Sequence, residues 1–164
     1  MIEHWDKSPE KARELYLEQW GTLEEVRAMS APIRQARGRR EAVAILKEIA
    51  KQSPFTSKSG LTARLQRRSV GKFVSSVAVH SSFSPDAHYL AAANIDKYFS
   101  NAIEPWLFGL NPNKNNEGLK NRRYLFAPME YHGRIVIIKF TVKEYYKTEN
   151  KLYSIEALDI MQKK

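Results

Sequence analysis

Apolar positions in the first part of the chain recur at helical spacing, whereas towards the C-terminus they alternate or run in β-branched blocks. "SPEKARELYLEQW" opens with Ser8 as cap, Pro9 at the first helical position and Glu10 in the first turn. After Gly21, "TLEEVRAM" continues the helical pattern until Ser30, Ala31 and Pro32 reset the chain. "PIRQARGRREAVAILKEIAKQ" then places Ala42, Ile45, Leu46 and Ile49 on one helical face. Arg34, Arg37, Arg39 and Arg40 cluster just ahead of that face and read as a solvated helix surface. "SPFTSKSG" is a loop by composition, and it separates an N-terminal helical segment, residues 1–52, from residues 53–164.

Beyond that loop "LTARLQ" alternates like a short strand, and "SVGKFVSS" suggests a short helix capped by Ser69. "SPDAHYLAAANIDKYFSNA" predicts a longer helix with Ser84 as cap and Pro85 at its first position. Its stripe is Ala91, Ala92, Ile95, Phe99 and Ala102, and His88 falls on the centre line. "IEPWLFGLNPNKNNEGLKN" is a long connection rich in Pro, Gly and Asn. Three β-rich runs follow: "RRYLFAPMEY", "RIVIIKFTVKEYY" and "KLYSIEALDI". Helices first and antiparallel strands last predict an α+β fold, with the helices packed on one face of a C-terminal sheet.

The first strand register can be counted. With His132 and Gly133 as a tight turn, Tyr131 pairs with Arg134. Leu125, Ala127 and Met129 then share an oily face with Val136, Ile138, Phe140 and Val142. The opposite face carries Arg122, Tyr124 and Phe126 beside Lys139, Thr141 and Lys143. A second turn centred on Glu149 and Asn150 would put Ile155 and Ala157 in the core and Glu156 opposite Lys143.

Charge sharpens this picture. The chain of 164 residues carries 27 Lys and Arg against 18 Asp and Glu, a net charge of +9. A basic protein of this size commonly meets an anionic partner. Interleaved cations and aromatic rings on one sheet face suit single-stranded nucleic acid, since cations attract phosphate and rings stack bases. The competing reading is an exposed sheet face held by a Lys143–Glu156 pair. With no cysteine, disulfides and thiolate metal sites are excluded, which fits a reducing, cytoplasmic setting. His4, His80, His88 and His132 lack zinc-like spacing, so neither a metal nor any cofactor is expected. No apolar run has the length of a membrane span, and the acidic start, Met1 to Asp6, does not read as a secretion signal.

Several ordered blocks together resemble the third large polyvalent-protein-associated domain of phage and conjugative-element proteins. They are "FTSKSGLTARLQRRSVGKFVS", "SPDAHYLAAANIDKYFSNAI", "RRYLFAPMEYHGRIVIIKFTVKEYY" and "LYSIEALDI". The resemblance runs from about Ala42 to Ile160 and implies a compact α+β unit from a mobile element. The helices-then-sheet order is also similar to the barnase, EndoU, colicin and RelE class of ribonuclease folds. His88, Asn94 and Asp96 match the family's helix motif, and Lys143 lies in its "TVKE" block. One departure is Arg123, which stands just before "FAPM" where a histidine is expected in relatives. A catalytic role for that histidine would leave this chain's site altered.

A metal-independent ribonuclease needs a base, an acid and cations for the developing phosphorane charge. Lys143 and Arg122 are the first candidates for the charge, with Glu156 or His88 for proton transfer. Lys139, Tyr124, Arg123 and Thr141 would hold the nucleic acid. His88 points with its apolar stripe towards the oily face, which favours a neutral, hydrogen-bonded core histidine. His80 lies in the polar stretch "VHSSFS" within reach of a sheet edge, and Asp96 suits bonding to a neighbouring loop. The leading reading is therefore a metal-independent ribonuclease acting on RNA such as tRNA; the alternatives are a non-catalytic nucleic-acid-binding module and a domain docking an acidic protein such as an antitoxin.

Overall fold

Local chemistry fixes most of the helix starts. The computed structural model describes residues 20–82, 84–104, 122–147 and 150–160. The long connection at 105–121 and the helix read over "SPEKARELYLEQW", apart from Trp20, lie outside the described residues. Helix α1 (Leu23–Ser30) begins with a capping box in which the Thr22 hydroxyl accepts from Glu25 N and the Glu25 carboxylate accepts from Thr22 N. Helix α2 spans Arg39–Ala50, later than the Pro32 start read from the sequence, because Gly38 at φ 140° sets its N-cap.

A two-residue ladder, β1 (Phe55–Thr56) with β2 (Thr62–Ala63), follows, and then a 3₁₀ helix over Arg67–Val74. The expected Ser69 cap is not used: this turn starts three residues earlier, after Gln66, with no capping side chain. Ser75 instead caps α3 (Ser76–Ser81), so His80 is exposed on a short helix rather than in a loop. The Ser84 cap and Pro85 start hold for α4 (Pro85–Ala93), but the long helix breaks at Asn94 before α5 (Ile95–Ser100). Asn94 leaves helical geometry because its buried amide serves another segment. Its Oδ1 accepts from Ile33 N at 3.0 Å and Arg34 N at 2.9 Å, while its Nδ2 donates to Arg34 O and Leu90 O, each at 2.9 Å. Nearby, Asp96 takes both arms of Arg34 at 2.7 and 3.0 Å, Lys97 donates to Ala31 O, and Tyr98 donates to Ser30 O.

Strands β3 (Arg122–Tyr131), β4 (Arg134–Lys147) and β5 (Asn150–Ile160) form an antiparallel sheet in that order. His132 and Gly133 have φ of 50° and 77°, as a type I′ turn requires, and Tyr131 pairs with Arg134. The counted β3–β4 register is therefore the observed one. The oily face meets α2, the 3₁₀ helix, α4 and α5, with Phe99 set edge-on to Phe140 at 5.4 Å.

The second hairpin departs from expectation. Lys147 pairs with Asn150, so the outer part of β5 lies two residues from the counted register, and Ile155 stays in the core opposite Val142. A two-residue slip preserves side-chain direction, whereas a one-residue slip reverses it. A bulge between Thr141 and Val142 then leaves Glu156 without a cross-strand partner and carries Ala157 to the second face, so Leu158, opposite Phe140, rather than Ala157 supplies the core. Glu156 is consequently not opposite Lys143; Ser154 is.

The second face is not uniformly open. Phe126, Ile135 and Ile137 pack with Trp20, with Val26 of α1 and with Ile103, which bridges to Phe126. Phe126, read as part of an exposed basic face, is only 1% exposed. Helix α1 thus covers the hairpin-tip half of that face, and among the described residues polar groups occupy the opposite end.

Candidate nucleic-acid interface

At that open end the alternation of β3 and β4 brings charge together. Arg122 and Lys143 are direct cross-strand partners and both are exposed. Like charges facing each other across a ladder disfavour the sheet, so the strand pairing itself gains nothing from this juxtaposition. Tyr124 pairs with Thr141, and Lys139, two pairs further in on the same face, sets its Nζ 4.6 Å from the centre of the Tyr124 ring. Among the described residues no carboxylate forms an ion pair with Arg122 or Lys143. Arg122, Tyr124, Lys139, Thr141 and Lys143 are thus brought together as counted.

The other candidates stand elsewhere. Glu156, in the bulge, lies 3.9 Å from Lys72 of the 3₁₀ helix. Arg123 points to the oily face, where its Nε donates to Glu104 Oε2 at 2.8 Å and its Nη2 to Glu104 Oε1. Its Nη1 also donates to the Tyr153 hydroxyl at 3.1 Å, and the guanidinium lies 5.2 Å from that ring's centre. Burial disfavours the Arg123 cation, but Glu104 and Tyr153 more than offset it, so the pKa is raised. Glu104 is 1% exposed, so this is a structural pair.

His88 is wholly buried in the helix layer, across the sheet from Lys143. Its Nε2 lies 2.5 Å from the Phe73 carbonyl and its Nδ1 2.5 Å from Ser82 Oγ, which accepts in turn from Ile160 N at 3.1 Å. A carbonyl can only accept, so Nε2 carries the proton and Nδ1 accepts from the serine in a neutral ring. Desolvation lowers the His88 pKa, opposed by the Phe73 bond and the Asp159 charge. One imidazole therefore ties the 3₁₀ helix, the end of α3, α4 and the end of β5, and the core reading of His88 holds.

Sequence reading missed Ser82 and Glu104, whose partners are fixed only by the fold. It also passed over a cleft of about 770 Å³ between α2 and the 3₁₀ helix, lined by Arg39, Arg40, Lys47, Arg67 and Arg68. The available signal was Arg40, Val43, Ala44 and Lys47 at i, i+3, i+4 and i+7, a second stripe distinct from the core stripe.

Among the described residues no helix is long and apolar enough to cross a membrane. Compared with known families, residues 34–153 match the model of large polyvalent protein-associated domain 3. No curated protein and no solved structure matches the chain.

Proposed function

We propose, from the premise that this chain belongs to the large polyvalent protein-associated domain 3 family and so has a phage or mobile-element link, that it binds single-stranded RNA without cleaving it. The observation that carries this reading is the unneutralised Arg122–Lys143 pair beside Lys139 and Tyr124 at the open end of the sheet. Two exposed cations supply phosphate contacts, and a tyrosine with one face towards a lysine offers a platform for a base. Binding is favoured over ribonuclease action because the groups expected to move protons are engaged elsewhere, Glu156 towards Lys72 and His88 in its buried clip.

The test is fluorescence anisotropy with a labelled 20-nucleotide RNA in EDTA, followed by a denaturing gel of the same mixture. The expected result is a salt-sensitive complex with intact RNA. Arg122→Ala with Lys143→Ala should make log K against log salt shallower by about 1.4, at about 0.7 per single-strand phosphate contact. Discrete fragments that vanish in Lys143→Ala would replace this reading with a metal-independent ribonuclease. No complex at low salt would overturn it and turn attention to an acidic protein partner.

A further inference from the structure

The α2 cleft is a second concentration of charge, and it lies in the helix layer, across the sheet from Arg122 and Lys143. Arg39, Arg40, Lys47, Arg67 and Arg68 line it, and among the described residues none of them forms an ion pair with a carboxylate. Its floor is small and aliphatic: Val43, Ala44, Val70 and Gly71. At Gly71 an added Cβ would lie 3.8 Å from Arg39 Nη2, so this guanidinium lies close over the glycine backbone. The cavity of about 490 Å³ beside the hairpin tip differs, since Asp86 and Glu130 line it and would repel phosphate.

Four guanidiniums in one cleft have a definite chemistry. The planar fork of arginine matches phosphate oxygens in pairs, which a lysine point charge does not. The lining contains no aromatic ring, so the cleft offers nothing on which a base could stack. An unstacked, arginine-rich cleft suits a backbone whose bases are already paired. We infer that the cleft between α2 and the 3₁₀ helix is a sequence-independent site for the phosphate backbone of duplex nucleic acid, separate from the sheet face. The lining has no protruding apolar side chain, so the cleft offers no insertion to reinforce electrostatic contact with an anionic membrane.

The experiment is a salt titration of a labelled 20-base-pair DNA duplex with the full chain, comparing two variants with wild type. One variant carries Arg39→Gln, Arg40→Gln, Arg67→Gln and Arg68→Gln; the other carries Arg122→Ala and Lys143→Ala. All six positions are exposed, so the fold should persist, and the melting curve of each variant checks this. A Lys47→Gln, Arg67→Gln pair serves if the fourfold variant does not fold. The expected result is that the cleft variant flattens the slope of log K against log salt by about 3 to 4, at about 0.9 per duplex phosphate. Its affinity should fall by on the order of a hundredfold or more at low salt, while the sheet-face variant keeps duplex binding. An unchanged slope in the cleft variant, or no duplex binding by wild type at low salt, would overturn the proposal. So would capture of poly-glutamate with no duplex retained, which would assign the cleft to an acidic protein.

Discussion

Arg123 shows how a residue read as nucleic-acid-binding becomes structural once its strand parity is respected. It pairs with Val142, so its guanidinium projects to the oily face and is held there by Glu104 and Tyr153. Removing it takes the bidentate cation from a carboxylate that is 1% exposed, and Arg123→Ala should cost about 3–5 kcal/mol. The double variant Arg123→Met, Glu104→Leu should cost less than that single change, measured by urea unfolding; equal or greater loss would contradict the pair's role. His88 makes a pH prediction. Its folded pKa lies below the unfolded value of about 6.5, so the unfolded chain binds the extra proton first. The stability due to its neutral state is complete above about pH 6.5 and is lost as pH falls towards the folded pKa. His88→Leu should cost about 1–3 kcal/mol at pH 8, where Ser82 and Phe73 O lose their partner. The gap between variant and wild type in unfolding free energy should narrow at pH 5; a constant gap would refute this account.

At the scale of elements, the β3–β4 hairpin was legible because glycine marks the turn and two-residue alternation fixes every side chain after it. β5 was only half legible. A polar turn does not reveal its own centre, and a bulge leaves no compositional mark, so Ile155 was placed correctly while Glu156 and Ala157 were not. The Ser84 helix shows the same limit. Its cap is local and was read, but the break at Asn94 follows from bonds to Ile33 and Arg34, sixty-odd residues away in sequence. The bulge carries a prediction of its own. Deleting Glu156 should convert β5 into a regular ladder without changing the face of any remaining residue. Deleting Ser154 should instead move Ile155 out of the core and Glu156 into it, burying a carboxylate. Thermal unfolding should therefore place the first variant near wild type and the second far below it, and similar midpoints would dismiss the bulge as the cause.

For the whole molecule, net charge was plain in the sequence but its distribution was not. Folding directs one group of cations to the open end of the sheet and another to the cleft beside α2, with the core between them. The first group was found because strand parity is countable. The second was not, because it joins a helix stripe to a 3₁₀ turn across a distance that periodicity cannot measure. The seam between α5 and the stretch before α2 has a consequence for how the family drifts. Asn94, Lys97, Tyr98 and Asn101 reach across it, and every partner they find in residues 29–34 is a main-chain atom. Main chain is the same whatever residue bears it. The exposed Ile33 is thus at liberty to change its letter among descendants, proline apart because its N–H is used, whereas the buried Ser30 and the four side chains that grip the stretch are not, and an inheritance so lopsided would be visible in any collection of relatives.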